Sequence, residues 1–188
     1  KTLCFLMGTQ VLEERVGVNI APQFLGSVYS SLRPEIRDSL TYEQAEFIQR
    51  LEGFEAPYLE EKLLSDGRFK TSEEYQKAFT EFKKYVLLRK FNVERGLAMT
   101  SPQVDEVWHQ FILFTQQYHE FCGNMLGEYL HHRPKTSFTP LSKDGKKRFI
   151  SNYQRMFSEM PNIWDASSDC EPPSGCDPGS CSTPCMEE

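Results

Sequence analysis

Apolar residues recur every three or four positions from about residue 24 to residue 158. That period argues for helices rather than strands. Two capping boxes punctuate it. Thr41-Tyr-Glu-Gln44 precedes Ala45, Phe47, Ile48 and Leu51, and Thr71-Ser-Glu-Glu74 precedes Tyr75, Ala78, Phe79, Phe82 and Val86. Pro57 starts a shorter helix through Tyr58, Leu59, Leu63 and Leu64, which Gly67 stops. Ser101 caps a helix with Pro102 at its first position. This helix is predicted to run to about Cys122 and to stop at Gly123-Asn124. A short helix is predicted over 125–131, with Pro134 ending it and a loop over 133–141. Ser142 then caps a last helix that turns Phe149, Ile150, Tyr153, Met156 and Phe157 inward. Val16 to Ile20 reads as a short extended piece. The expected fold is all-α, a single compact bundle of about five to seven helices with the 102–122 helix at its centre.

The 188 residues suit one helical domain over 1–165 and a tail over 166–188. The tail is Ser, Pro, Gly, Cys and acids, with too little apolar surface to build a core. A net charge of -6 argues against general nucleic-acid affinity, because phosphate binding needs a basic surface. Two basic patches, Lys83-Lys84 and Lys143 through Arg148, sit among acids and read as solvated helix faces. No apolar run reaches the roughly 18 residues of a membrane span. Lys1 to Met7 is too short for the core of a secretory signal. A cytoplasmic protein that binds neither membrane nor nucleic acid is expected.

All four histidines, His109, His119, His131 and His132, fall between Asp105 and Pro134. Such concentration points to metal binding or proton transfer. Asp105 and His109 are one helical turn apart and can touch, so the acid can orient the imidazole. His119 and Cys122 also share a turn. His109 and His119 would lie roughly 15 Å apart on a straight helix, too far for one ion. A site therefore needs partners from elsewhere. His131 and His132 follow a turn containing Gly123 and Gly127 and can fold back to supply them. Each residue also has an ordinary role: Asp105 favours the helix dipole, and Cys122 is a small hydrophobe in an apolar stripe. The chain has no His-Glu-x-x-His, Gly-rich phosphate loop or Gly-x-Ser-x-Gly elbow.

Ser101-Pro-Gln-Val-Asp-Glu-Val-Trp-His109, with Ile112-Leu113, Tyr118, Cys122, Gly127 and Leu130-His-His-Arg-Pro134, resembles the glycine-rich domain-containing-protein-like family in its small bacterial form. The resemblance spans roughly residues 70–170, from Glu74-Tyr75 and Phe82 to Tyr153, Phe157, Pro161, Trp164 and Cys170. It implies a mainly helical domain and no established reaction. Members often carry a second histidine two residues after the Trp-His pair, where this chain has Phe111. That departure removes a two-histidine ligand set from this helix. The resemblance also implies Cys-rich or Gly-rich tails. Stress and RNA-related roles of plant relatives do not transfer to an acidic chain without their extra domains.

The tail thiols Cys170, Cys176, Cys181 and Cys185 lack the short paired spacing of a zinc knuckle. They can bind soft ions or oxidise to disulfides. The leading expectation is a small metal-associated protein holding zinc, iron or copper. His109, Cys122, His132, His119 and His131 are its ligand candidates, Asp105 orients His109, and Trp108 and Tyr118 wall the site. The alternative is an interaction or scaffold module with an unidentified protein partner, in which the same side chains form a structural polar network. A thiol enzyme is a third class. Cys122 lies too far from His109 on one helix for direct proton transfer, so His131 or His132 would be its base.

Overall fold

The computed structural model describes residues 26–91, 96–133 and 143–165. The extended piece at 16–20, the 134–141 loop, the Ser142 cap and the cysteine tail lie outside the described residues. Eight α-helices cover the described chain: α1 (Ser27–Ser31), α2 (Pro34–Arg37), α3 (Tyr42–Glu52), α4 (Pro57–Ser65), α5 (Ser72–Phe91), α6 (Pro102–Leu113), α7 (Thr115–Met125) and α8 (Lys143–Met156). A 3-10 turn, Asn162–Trp164, follows. The fold is all-α. The count exceeds the expected five to seven because α1 and α2 are single turns and the 102–122 helix is two helices. Among the described residues, extended pairing is limited to one bridge between Leu32 and Phe157.

The caps form as their residues dictate. The Thr41 hydroxyl accepts from the Gln44 amide, and the Gln44 side chain accepts from the Thr41 amide. At α5 the Thr71 hydroxyl accepts from Glu74, but the Glu74 carboxylate reaches one residue further back, to the Lys70 amide. Pro57 opens α4, and Gly67 ends it at φ 68°, a left-handed conformation that costs glycine little. Ser101 caps α6 by accepting from the Val104 amide.

The centre of the bundle is α5, not the 102–122 helix. It packs against α1, α3, α4, α6 and α8. Tyr75, Ala78, Phe79, Phe82 and Val86 are buried as their spacing predicts, but Glu81 and every residue from Lys83 to Leu88 are buried as well. A helix buried on all sides belongs in a core. The solvated face expected at Lys83-Lys84 is therefore wrong. The long apolar stems let both lysines bury while each ammonium keeps a partner. Lys83 donates to the Glu52 carbonyl and Lys84 to the Glu81 carboxylate.

The helix expected over 102–122 is broken into α6 and α7. The chain leaves helical conformation at Phe114, with ψ 66°, although no Gly or Pro marks the place. The Phe114 ring packs on Tyr58 at 4.9 Å, and its carbonyl starts α7 by accepting from the Tyr118 amide. Tertiary packing thus overrides helix propensity at this point. The redirected α7 buries Tyr118, Phe121 and Cys122, and it runs through Gly123-Asn124 to Met125 rather than stopping there. Gly127, at φ 77°, makes the turn that follows. The helix expected over 125–131 is absent. Residues 128–133 instead run without helical structure back to the start of α6.

Candidate metal centre

Asp105 stands in the first turn of α6, where the helix dipole favours a carboxylate. His109 follows one turn later on the same face. Its Nδ1 lies 3.8 Å from Asp105 Oδ2. His132 arrives from the returning segment, and its Nε2 lies 2.7 Å from Asp105 Oδ1. The two imidazoles meet at a steep angle with ring centroids 4.4 Å apart. One ligand atom from each of Asp105, His109 and His132 lies within 4.8 Å of the others. Ligands held at about 2.0–2.2 Å from one ion sit at most roughly 4.4 Å apart, so small side-chain rotations would close this set. The His132 side chain is 9 % exposed, Asp105 31 % and His109 46 %, so the centre is walled on one side and open on the other.

The wall is aromatic. Trp108 meets the His132 ring edge-on at 4.5 Å. Its indole N–H donates to the Tyr118 hydroxyl at 2.8 Å, and that hydroxyl donates to the Leu130 carbonyl. Burial pushes the Tyr118 hydroxyl far above the ordinary phenol range, so it stays protonated and can donate. Tyr85 also packs on Trp108, at 5.4 Å. Burial is the main cause of its rise to about 12; Arg89 opposes it and the Asp105 charge adds to it.

Of the expected ligands, His109 and His132 come together, and Asp105, expected only to orient His109, is an equal member of the group. Cys122, His119 and His131 are not in it. Cys122 is buried against Tyr118 and the Leu130 backbone. Burial raises its thiol above the ordinary range, with those two contacts opposing. His119 and His131 are exposed and meet the Tyr129 ring, at 6.3 and 4.8 Å. Phe111 is fully buried among Phe54, Phe82, Tyr118 and Phe121. A histidine there would face the core. Phe111 therefore takes nothing from this centre, because the second imidazole comes from His132. Cys170, Cys176, Cys181 and Cys185 lie outside the described residues.

One polar cluster was not foreseen. Glu81 is 5 % exposed, yet its carboxylate accepts from Tyr153, Trp164 and Lys84, each at 2.7 Å. The cluster joins α5, α8 and the 3-10 turn. Glu81, Lys83 and Lys84, set among Phe79, Phe82, Tyr85 and Val86, were its signal in the sequence, and the amphipathic pattern of α5 hid it. Glu81 also borders a cavity of about 710 Å³, with Gln76, Thr80, Gln103 and Ile163 among its walls. None of Asp105, His109 and His132 lines that cavity.

Fold and centre define a helical protein carrying one carboxylate and two imidazoles at the mouth of an aromatic wall. The family model described as UCP032817-like matches residues 43–159, 117 of the 188, and the chain belongs to that family. The match takes in Asp105, His109 and His132, as well as Glu81, Lys84 and Tyr153, and stops before Trp164. No curated protein and no solved structure matches the chain. No helix among the described residues is long and apolar enough to cross a membrane.

Proposed function

We propose that the protein binds a divalent transition metal ion through Asp105, His109 and His132. The observation that carries this reading is the convergence of one oxygen and two nitrogen ligand atoms within 4.8 Å, supplied from two separate stretches of chain. Two histidines and one carboxylate on one side of an ion leave positions open, a donor set that suits iron(II) or zinc. Without a thiolate in the set, copper(I) is disfavoured. A metal held there would supply a Lewis acid and an acidified water. The free thiol of Cys122 accords with a reducing, cytoplasmic setting. The resemblance to the glycine-rich domain-containing-protein-like family belongs to this proposal and rests on the Ser101–His109 and Leu130–Pro134 residues.

A second reading has its own observation. The 2.7 Å separation of Asp105 Oδ1 and His132 Nε2 is also that of a hydrogen bond tying the returning segment to α6. In that reading the protein is an interaction module and the pair is a strut.

Cobalt(II) and zinc titration of untagged protein, followed by absorption and calorimetry, separates the two. One equivalent bound by the wild type and by a chain ending at Trp164, and lost in His132→Ala and Asp105→Asn, supports the metal reading. No binding by the wild type, or binding unchanged in both variants, overturns it. Metal lost only with the tail would place the ion on Cys170 to Cys185.

A further inference from the structure

We infer that Tyr118 is the positioning residue of this centre, holding His132 on Asp105 through the backbone of Leu130. This rests on the metal reading for its consequence, although the contact itself exists without metal. Of the three converging groups, His132 is the one that no helix carries. Among the described residues, no backbone–backbone hydrogen bond holds residues 128–133. Besides the side-chain contacts of Tyr129 and His132, they are fastened at Leu130, two residues before His132. The Leu130 carbonyl accepts from the Tyr118 hydroxyl, and its backbone lies near the buried Cys122 thiol. Tyr118 and Cys122 are one turn apart on α7, so this helix presents two side chains to a single residue and holds its carbonyl. The Tyr118 oxygen accepts in turn from Trp108, whose ring edge meets His132. Trp108 lies between Asp105 and His109 on α6. One buried hydroxyl therefore couples α7, α6 and the returning segment at the point where the three ligand candidates meet.

Tyr118→Phe keeps the ring and removes that coupling. Tyr153→Phe is the control, because it removes an equally buried hydroxyl from the Glu81 cluster. Two readouts separate positioning from stability. In metal-free protein at one fixed pH, the His132 ring signals in nuclear magnetic resonance spectra report its contact with Asp105. In zinc titrations, the Kd reports the assembled set. In Tyr118→Phe the His132 signals are expected to broaden and move toward those of a free imidazole. Zinc affinity is expected to fall about tenfold to a hundredfold, the usual loss when a partner orienting a ligand is removed. Tyr153→Phe should leave both readouts unchanged. Cys122→Ala, which removes the buried thiol packed beside Leu130, should move both in the same direction by less. It also serves as the test if Tyr118→Phe does not fold. His132 signals and affinity that stay wild-type in Tyr118→Phe, or that change equally in Tyr153→Phe, overturn the inference. If the wild type binds no zinc, the metal reading fails, and the metal-free spectra still decide whether Tyr118 positions His132.

Discussion

Glu81→Gln tests the buried cluster most directly. The substitution keeps the shape of the side chain and an oxygen facing Tyr153 and Trp164, but removes the charge opposite Lys84. The Lys84 and Glu81 side chains are 8 % and 6 % exposed, so water cannot take the place of the lost partner. Breaking one side of a buried pair typically costs about 3–5 kcal/mol. The two retained hydrogen bonds place the expected loss near the lower end, about 3 kcal/mol. For a chain of this length each kcal/mol lowers Tm by about 2–4 °C, so the expected drop is about 6–12 °C. Urea unfolding read by circular dichroism gives the free energy. Tryptophan fluorescence should change at the same midpoint, because the Trp164 indole N–H donates to Glu81. Removing both charges in Glu81→Gln/Lys84→Met leaves no unpaired ion and should recover at least half of the loss. A Glu81→Gln variant within about 1 kcal/mol of wild type, or a double variant no more stable than the single, would refute the assigned role of the charge pair.

Three further outcomes are expected. Phe111→His should cost about 3 kcal/mol or more in urea unfolding, because it sets an imidazole without a partner among buried rings, and it should leave zinc stoichiometry at its wild-type value. In peptide-resolved alkylation of the native protein near neutral pH, Cys122 should label far more slowly than after unfolding, since burial both shields the thiol and raises its pKa. Equal rates in the two states would contradict the buried position. Folding should also weaken in alkali. A group whose pKa the fold raises contributes stability below its unfolded value and loses it as pH rises through the folded one. For Tyr85 that window runs from 10.0 to about 12, and burial shifts Tyr75, Tyr118 and Tyr153 the same way. Lys83, which burial lowers, works in the opposite sense and offsets part of the decline. Urea midpoints that stay flat from neutral pH to the end of the Tyr85 window would be the contrary result.

Local chemistry wrote much of this fold into the sequence. Thr41 and Gln44, Ser101 and Pro102, Pro57 and Gly67 act within a few residues, so their caps and stops could be read without knowledge of neighbours. The apolar spacing of α3 and of Phe149, Tyr153 and Phe157 likewise identified faces that are buried. One half of the centre was local too, because a turn of helix brings Asp105 to His109. The rest depends on segments far apart in the chain. Whether Lys84 faces water or Glu81 is decided by α8 and the 3-10 turn closing over α5. The Phe114 break follows from the packing of its ring on Tyr58, which no nearby residue announces. The return of His132 brings Leu130 onto the Tyr118 hydroxyl of α7. That leaves Cys122 as a buried core residue rather than a member of the ligand group, and makes Asp105 a ligand candidate in its own right. Sequence alone determined that the chain is helical and where α3, α4, α5 and α6 begin, since capping and periodicity act over one or two turns. Tertiary structure decided which of the five candidate ligands and their acid come together, because that depends on where a non-helical segment is fastened.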